Sequence, residues 1–277
     1  MPQINPEKIA DIIREVAAEK IVPRFQQLEK HEITTKTGPQ DFVTIADLEA
    51  EEELTRIFKD MVPGSYVVGE EAVSKNETDM GMLATHDGLV WVVDPVDGTA
   101  NFTRGDKKFG CIVALVSKGK TIQSWILDIP GDRMAIAEQG GGVEINNSRR
   151  TFPQMGNDLN ETRGFISRKF LPKKLKEDLK DVLDSRFGNI ETYLCCAHEY
   201  LDILEGDAFF SMYSRIRPWD HLAGCMMMTE AGGYVRKWDS SHYGPGDEHG
   251  GVIVAQDKEV WETIHSLLLE PYLQNVA

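Results

Sequence analysis

The strongest constraint on the fold and function of this chain is a short apolar segment that runs directly into two carboxylates. The segment reads WVVDPVDGTANF from Trp91 to Phe102. Its first residues are typical of a buried strand, which would deliver Asp94 and Asp97 to the C-terminal end of that strand. If a helix begins at Gly98 and Thr99, their amide groups form an anion site, and glycine lets the backbone approach a ligand closely. The segment therefore predicts cation ligands beside an anion cradle, although Asp, Pro and Gly also build ordinary turns.

Three further acidic positions each have an ordinary structural explanation when they are taken alone. Glu70 follows the short apolar stretch 66–68, and acidic residues at such a place commonly belong to a solvated loop. Asp47 lies three residues after Thr44, a spacing typical of a helix-capping box. Asp220 precedes a helical pattern and is a natural N-cap. Only their combination with the segment above favours a common site.

The charge of the chain narrows its possible partners. The 30 Lys and Arg against 45 Asp and Glu give a formal net charge of -15, and a field of that sign repels nucleic acid and anionic membrane surfaces. A phosphate ester would also be repelled unless some carboxylates hold divalent cations. No apolar run approaches the roughly 20 residues that span a bilayer, and the N-terminus does not read as a signal peptide. We therefore expect no nucleic-acid partner, no membrane, and a cytoplasmic location.

The order of the elements predicts helices packed on sheets in two halves. Short apolar runs between residues 66 and 137, separated by turn residues, are typical of an antiparallel meander. After about residue 151, helical patterns alternate with single short strands. We expect residues 1–150 to form an N-terminal α+β half with most of the carboxylates. Residues 151–277 would then form a C-terminal α/β half that contributes Asp220 and contacts to a substrate.

Taken together, these motifs resemble the inositol monophosphatase family. The resemblance covers most of the chain and keeps the order and spacing of the family. The matching stretches are Asp41–Thr44 with Asp47, Gly69–Glu71, Trp91–Phe102, Trp219–Asp220 and Thr229–Gly233. The resemblance implies a mixed α/β fold, a layered αβαβα sandwich of the inositol monophosphatase and fructose-1,6-bisphosphatase type. It also implies a homodimer.

The resemblance further implies a Mg²⁺-dependent phosphate monoesterase with two or three ions per site. The implied metal ligands are Glu70, Asp94, the carbonyl group of Val96, Asp97 and Asp220. Thr99 with Asp47 would activate the attacking water, and the amides of Gly98 and Thr99 would cradle the phosphate. This set is chemically coherent, because divalent ions neutralise phosphate and lower the pKa of bound water. The protein then contributes mainly positioning and electrostatics.

The chain departs from the family on the side that would bind the alcohol. Family members that act on inositol phosphates usually carry a Gly-Ser/Thr-Ala segment before a helix that here spans Cys195–Leu204, where this chain has Thr192–Cys196. They also carry a glutamate shortly before the Trp-Asp pair, and this chain has none there. We therefore expect that inositol monophosphates are not uniquely preferred. Arginines nearby could serve a more anionic substrate, but the end of a surface strand explains them equally well. The candidate substrate contacts are Ser211, Tyr213, Arg215 and Arg217.

The sequence leaves three classes of function open. The first is a phosphatase for an inositol-1-phosphate-like or sugar phosphate. The second is a nucleotidase, bisphosphatase or histidinol-phosphate phosphatase of the same superfamily. The third is a non-catalytic regulator that keeps the fold and binds a partner, such as the transcription machinery. A degenerate regulator would be expected to lose metal ligands, and this chain keeps them all, which favours an enzyme.

Overall fold

The computed structural model describes residues 4–36, 42–152 and 163–273 of the chain. The helices are α1 (Pro6–Val16), α2 (Ile45–Met61), α3 (Glu70–Ser74), α4 (Met82–Thr85), α5 (Thr99–Arg104), α6 (Lys173–Arg186), α7 (Cys196–Glu205), α8 (Pro218–Glu230), α9 (Lys258–Leu268) and α10 (Glu270–Leu273). The strands are β1 (Ile33–Thr35), β2 (Phe42–Thr44), β3 (Tyr66–Gly69), β4 (Leu89–Asp97), β5 (Gly110–Ser117), β6 (Lys120–Asp128), β7 (Arg133–Glu138), β8 (Gly142–Ile145), β9 (Ser148–Arg150), β10 (Arg163–Ile166), β11 (Asn189–Glu191), β12 (Phe210–Tyr213), β13 (Tyr234–Lys237) and β14 (Val252–Ala255). Asp41, which belongs to one of the matching stretches, lies outside the described residues.

The first sheet contains seven strands in the order β3-β4-β5-β6-β7-β8-β9. β3 and β4 are parallel, and the later strands pair antiparallel with their neighbours. From β4 onward the strands form the predicted antiparallel meander, and β8 and β9 extend it beyond the predicted strands. β3 departs from the antiparallel expectation, because residues 70–88 form a crossover connection that makes it parallel to β4. Because β3 and β4 are parallel neighbours, their C-terminal ends lie at the same edge of this sheet.

The second sheet contains five strands in the order β11-β10-β12-β14-β13. β10 runs parallel to both β11 and β12, whereas β14 is antiparallel to β12 and β13. The first sheet ends at Arg150, and the second begins at Arg163. β12 lies at the centre of the second sheet and leads into α8.

Three hydrophobic cores separate the layers. One packs α1 and α2 on one face of the first sheet, the next lies around α7 and α8, and the last packs α6 and α9 on the second sheet. Side chains of β4 alternate between two of these cores, with Trp91 and Val93 on one face and Val90 and Val92 on the other. A strand buried on both faces reads as a continuous apolar run. The layers follow the order helix, sheet, helix, sheet, helix, which confirms the expected αβαβα sandwich.

Local details near the site differ from the sequence-based expectations. α8 begins at Pro218 with Arg217 as its N-cap, so Asp220 lies in the first turn and is not the cap. The reason is that proline is favoured at the first helical position, where its missing N–H needs no partner. The pairing of β4 with β5 shifts between Asp94 and Asp97, and such a bulge changes the direction of the side chains.

No helix among the described residues is long and apolar enough to span a bilayer.

Candidate functional site

Three carboxylates from separate parts of the chain converge beside the C-terminal end of β4. Glu70 is the first residue of α3, Asp94 lies near the end of β4, and Asp220 lies in the first turn of α8. One oxygen atom of each lies within 4.8 Å of the other two. The parallel pairing of β3 with β4 brings the first two together, and the middle helical layer adds the third. We call this cluster the carboxylate centre.

Burial and mutual repulsion disfavour negative charge in the carboxylate centre. Burial raises the pKa of Asp94 well above its ordinary value, and the charges of Glu70, Asp97 and Asp220 raise it further. Burial also raises the pKa of Asp220, again with contributions from Glu70 and Asp97. Carboxyl groups that share a buried site cannot all ionise unless a cation compensates them.

A lysine of the chain supplies part of this compensation. Lys36 Nζ donates to Glu70 Oε1 at 2.7 Å and to Glu71 Oε1 at 2.5 Å. Burial lowers the pKa of Lys36, but the two glutamates outweigh burial, and the pKa lies above its ordinary value. The sequence analysis missed this residue, because a single lysine in a polar stretch has no spacing that marks it.

The loop that presents Glu70 is held by a buried carboxylate on α2. Glu51 accepts hydrogen bonds from the backbone amides of Glu71 and Ala72, both at 2.8 Å. A Cβ atom at Gly69 would overlap the carboxyl group of Glu51, so a larger residue there would displace this carboxylate from its hydrogen bonds. Burial raises the pKa of Glu51 to about 7. Glu51 therefore positions the start of α3, and it too escaped the sequence analysis.

Asp97 connects the end of β4 to the middle helical layer. Its Oδ2 accepts from the backbone amide of Ala197 at 2.6 Å and lies 3.2 Å from Cys195 Sγ. Burial raises the pKa of Asp97 to about 6, although these two hydrogen bonds favour the charged form. Asp97 lines the same cleft as Glu70 and Asp220. The start of α7 therefore orients this carboxylate at the edge of the carboxylate centre.

Asp47 and Thr99 are in contact. Thr99 Oγ1 lies 3.1 Å from Asp47 Oδ1 and 3.0 Å from the carbonyl oxygen of Val96. The other oxygen, Asp47 Oδ2, accepts from the amide of Thr44 at 2.9 Å and from its hydroxyl at 2.5 Å. Burial raises the pKa of Asp47 to about 6. The same carboxylate therefore completes the capping box of α2 and contacts the Thr99 hydroxyl.

The turn between β4 and α5 requires glycine for two reasons. Gly98 caps α5 with a φ of 85°, in the left-handed region that favours glycine. A Cβ atom there would also lie 2.8 Å from the carbonyl oxygen of Lys108 and 3.2 Å from Cys195 Cβ. Gly98 and Thr99 both line the cleft, and the first amides of a helix have no partner within it. This geometry can present backbone N–H groups to an anion.

The structure places only some of the predicted substrate contacts in the cleft. Tyr213 and Arg215 line the cleft. Ser211 and Arg217 are not among the described residues that line it: Ser211 is fully buried, and the Arg217 guanidinium lies 5.9 Å from the ring of Trp219. Direct contact with a ligand in the cleft is therefore open to the first pair only.

A buried glutamate lies behind Ser211. Glu199 Oε1 accepts from the Thr192 hydroxyl and from the Tyr193 amide, both at 2.9 Å, and Oε2 lies 3.4 Å from Ser211 Oγ. Burial raises the pKa of Glu199 to about 7. α7 therefore places a buried acidic group next to Ser211. Sequence patterning missed it, because nothing in the spacing shows that the surrounding face of α7 is buried.

The oxygen donors of the carboxylate centre fit a hard divalent cation such as Mg²⁺. Cys196 and His221 also approach Asp220, with ligand atoms of the three within 4.8 Å. However, both His221 nitrogens have partners: Nε2 donates to the Arg215 carbonyl at 2.8 Å, and Nδ1 lies 3.2 Å from the Tyr200 hydroxyl. The carboxylates are therefore the better candidate ligands.

The chain is similar to known protein sequences over most of its length. The model of the inositol monophosphatase family matches residues 7–273. Inositol-1-monophosphatase of Bacillus subtilis (strain 168) is 26% identical over 245 residues, which are 87% of this chain and 87% of that protein. Nus factor SuhB of Vibrio cholerae is 29% identical over 233 residues, which are 79% of this chain and 80% of that protein. The chain is thus similar both to an inositol-1-monophosphatase and to a Nus factor.

Solved structures share the fold at lower identity. An IMPase of Thermotoga maritima superposes with a TM-score of 0.81 at 21% identity, covering 97% of this chain and 99% of that one. An IMPase/NADP phosphatase complexed with Mg²⁺ and phosphate superposes with a TM-score of 0.80 at 18% identity, covering 95% of this chain and 94% of that one. The likeness extends over nearly the whole chain, so the fold is that of these phosphatases.

Proposed function

Because the chain belongs to the inositol monophosphatase family, we propose that it hydrolyses small phosphate monoesters and requires Mg²⁺. The observation that carries this proposal is the carboxylate centre of Glu70, Asp94 and Asp220, which shares its cleft with Thr99. Thr99 in turn contacts the buried Asp47. Cation ligands and a polarised hydroxyl are the two elements that hydrolysis of a phosphate ester needs.

The proposed reaction is a simple hydrolysis. A water oxygen bonds to phosphorus, the ester P–O bond breaks, and the departing alcohol oxygen takes up a proton, giving an alcohol and inorganic phosphate. Thr99 Oγ1 accepts a hydrogen bond from the water as its own hydrogen turns to Asp47 Oδ1, so that the pair acts as general base. The amides of Gly98 and Thr99 hold phosphate oxygens. The carboxylate centre, Asp97 and the Val96 carbonyl would hold two or three Mg²⁺ ions, which would neutralise the charge of the phosphate.

The substrate that we propose is an inositol-1-phosphate-like or sugar phosphate, without a unique preference for inositol monophosphates. Position 211 carries a serine in place of an acidic residue, and the Ser211 hydroxyl faces Phe165 and Glu199 inside the protein. This difference supports the lack of preference. A preference for one inositol phosphate above about a hundredfold in kcat/KM over every other ester would contradict it. A panel of esters assayed for phosphate release makes the comparison.

The main alternative is a binding role without catalysis, because relatives of this chain are named Nus factors. The net charge of -15 argues against direct contact with RNA. The intact set of carboxylates and the contact between Thr99 and Asp47 argue for an active enzyme. A protein that binds Mg²⁺ yet releases phosphate from no ester in the panel would favour the binding role.

Paired variants test the proposed roles. Asp94→Asn should abolish both phosphate release and tight Mg²⁺ binding, because Asp94 lies within the carboxylate centre. Thr99→Ala should keep Mg²⁺ binding and the backbone amide, but should lose about 10²–10⁴-fold in kcat as a general-base contact is removed. Steady-state kinetics and calorimetric titration of Mg²⁺ measure the two effects separately. The exposed Asp60→Asn is a matched control that should alter neither.

Near-normal turnover of Thr99→Ala would remove the pair of Thr99 and Asp47 from the mechanism. Equal losses of stability in both variants, with no difference in Mg²⁺ binding, would indicate that the loop is only structural.

We also propose a cytoplasmic homodimer. Light scattering coupled to gel filtration tests the dimer, since a mass near the 31.1 kDa of one chain would contradict it.

A further inference from the structure

A thiol lies beside the carboxylate centre in the same cleft. Cys196 Sγ, a carboxylate oxygen of Asp220 and a ring nitrogen of His221 lie within 4.8 Å of one another. All three residues line the cleft, so an ion from solution can reach them. Cys196 belongs to the segment in which the chain departs from the family pattern, and the proposed hydrolysis makes no use of it. We call these three residues the thiol cluster.

The hydrogen bonds of His221 allow one of its nitrogens to bind a metal ion. Nε2 lies 2.8 Å from the Arg215 carbonyl oxygen, which can only accept, so Nε2 carries the hydrogen and Nδ1 has the lone pair. Metal-binding histidines commonly donate their other nitrogen to a carbonyl group in this way. The Tyr200 hydroxyl lies 3.2 Å from Nδ1 and 3.4 Å from Cys225 Sγ. Its single hydrogen can therefore turn to the sulfur when Nδ1 binds an ion.

The surroundings of Cys196 disfavour a free thiolate but suit a thiolate that is bound to a cation. Burial raises the pKa of Cys196 well above its ordinary value, and the charges of Asp97, Asp220 and Glu199 raise it further. Without a cation, the thiol stays protonated at neutral pH and is a poor nucleophile. A divalent ion reverses this preference, because it attracts the thiolate and the carboxylates alike. The environment therefore favours metal binding over oxidation of the thiol.

The donor atoms of the thiol cluster fit Zn²⁺ better than Mg²⁺. Mg²⁺ takes oxygen ligands, whereas a thiolate selects softer ions such as Zn²⁺. Zn²⁺ binds Cys, His and Asp side chains in tetrahedral sites, and a site with three protein ligands keeps one position open. Asp220 belongs both to the thiol cluster and to the carboxylate centre. An ion in the thiol cluster therefore competes with Mg²⁺ for this carboxylate.

We propose that Cys196, Asp220 and His221 form an inhibitory site for a thiophilic divalent cation such as Zn²⁺. On binding, the S–H bond of Cys196 breaks and its proton passes to solvent. The sulfur, a carboxylate oxygen of Asp220 and a ring nitrogen of His221 then bind the ion. The bound ion draws Asp220 away from the carboxylate centre, so Mg²⁺ binding and phosphate release both fall. The metal site stands apart from the proposed function, and only the inhibition rests on it.

Absorption spectroscopy with Co²⁺, which replaces Zn²⁺ in tetrahedral sites, detects the thiolate without any substrate. The wild type should show a thiolate-to-cobalt charge-transfer band. Cys196→Ala and Cys196→Ser should both lack it, and serine keeps nearly the size of the side chain. Asp94→Asn disables the carboxylate centre but keeps the thiol cluster, so it should keep the band. Cys111→Ala, which removes a buried thiol from the core beside the first sheet, is the matched control and should also keep it.

Inhibition is measured by titrating Zn²⁺ into the phosphate-release assay at fixed Mg²⁺. Each rate is expressed relative to the rate of the same protein without Zn²⁺. Cys196→Ala should need at least about tenfold more Zn²⁺ for half inhibition than the wild type. A higher Mg²⁺ concentration should raise the Zn²⁺ concentration that the wild type needs, because both ions use Asp220.

Absence of the band in the wild type, or a band of equal strength in Cys196→Ala, would overturn the metal site. Equal sensitivity of the wild type and Cys196→Ala to Zn²⁺ would overturn the inhibitory role, because Zn²⁺ would then act at the carboxylate centre alone. If the band forms as expected but no ester of the panel releases phosphate with Mg²⁺, the proposed function fails and the metal site stands.

Discussion

Replacement of Glu199 by glutamine should stabilise the protein relative to the wild type as the pH rises toward the alkaline range. Glu199 is 1% exposed, and burial raises its pKa to about 7. A group whose pKa is higher in the folded than in the unfolded state contributes stability that is complete at low pH. This contribution is lost as the pH rises through the folded pKa. Glutamine has nearly the same shape and does not titrate, so the variant escapes this loss.

The size of the effect follows from the two pKa values. The ordinary value of 4.5 and the folded value of about 7 differ by roughly 2.5, and each pKa unit corresponds to about 1.36 kcal/mol. Deprotonation therefore costs the wild type about 3 kcal/mol of unfolding free energy. The glutamine can keep the contacts, because its carbonyl accepts from Thr192 and Tyr193 and its amide group faces the Ser211 hydroxyl.

Urea denaturation between about pH 5 and about pH 8, with EDTA present, measures the effect. The difference in unfolding free energy between Glu199→Gln and the wild type should grow by about 2.5 kcal/mol across this range. Asp47 and Glu51 also have raised pKa values, but they titrate in both proteins and cancel in the difference. The exposed Glu52→Gln is the control. A difference that stays constant with pH would refute the reasoning.

Three other predictions concern the carboxylate centre and its surrounding loops. Mg²⁺ should raise the melting temperature over that in EDTA, because an ion that binds only the folded state stabilises it; identical midpoints would count against a metal centre. Lys36→Met should lower the unfolding free energy in EDTA by about 3–5 kcal/mol by leaving Glu70 and Glu71 without a buried cation, and a denaturant titration that finds no loss would contradict the pairing. Gly98→Ala should cost about 1–3 kcal/mol, because of its φ of 85° and the close Lys108 carbonyl. Wild-type stability of this variant, measured in the same way, would exclude that strain.

Local spacing was sufficient to predict several parts of the site. The run from an apolar strand into Asp94, Asp97 and Gly98 predicted the end of β4 and the start of α5. Neighbouring residues alone determine both features, because a buried strand needs consecutive apolar residues and a tight turn needs glycine or proline. The capping box predicted the start of α2 at Thr44 and Asp47. The resemblance to the family predicted the αβαβα layers.

Only the tertiary structure decided which polar groups are buried and which meet. Lys36, Glu51 and Glu199 are separated from their partners by many residues or by a layer boundary, so no pattern along the chain marks them. Ser211 lies at the expected position along the chain and on the same face of β12 as Tyr213, but its side chain is fully buried against Phe165 and Glu199. Burial and contact are properties of segments that come from different parts of the chain, and sequence spacing reports only what neighbouring residues determine.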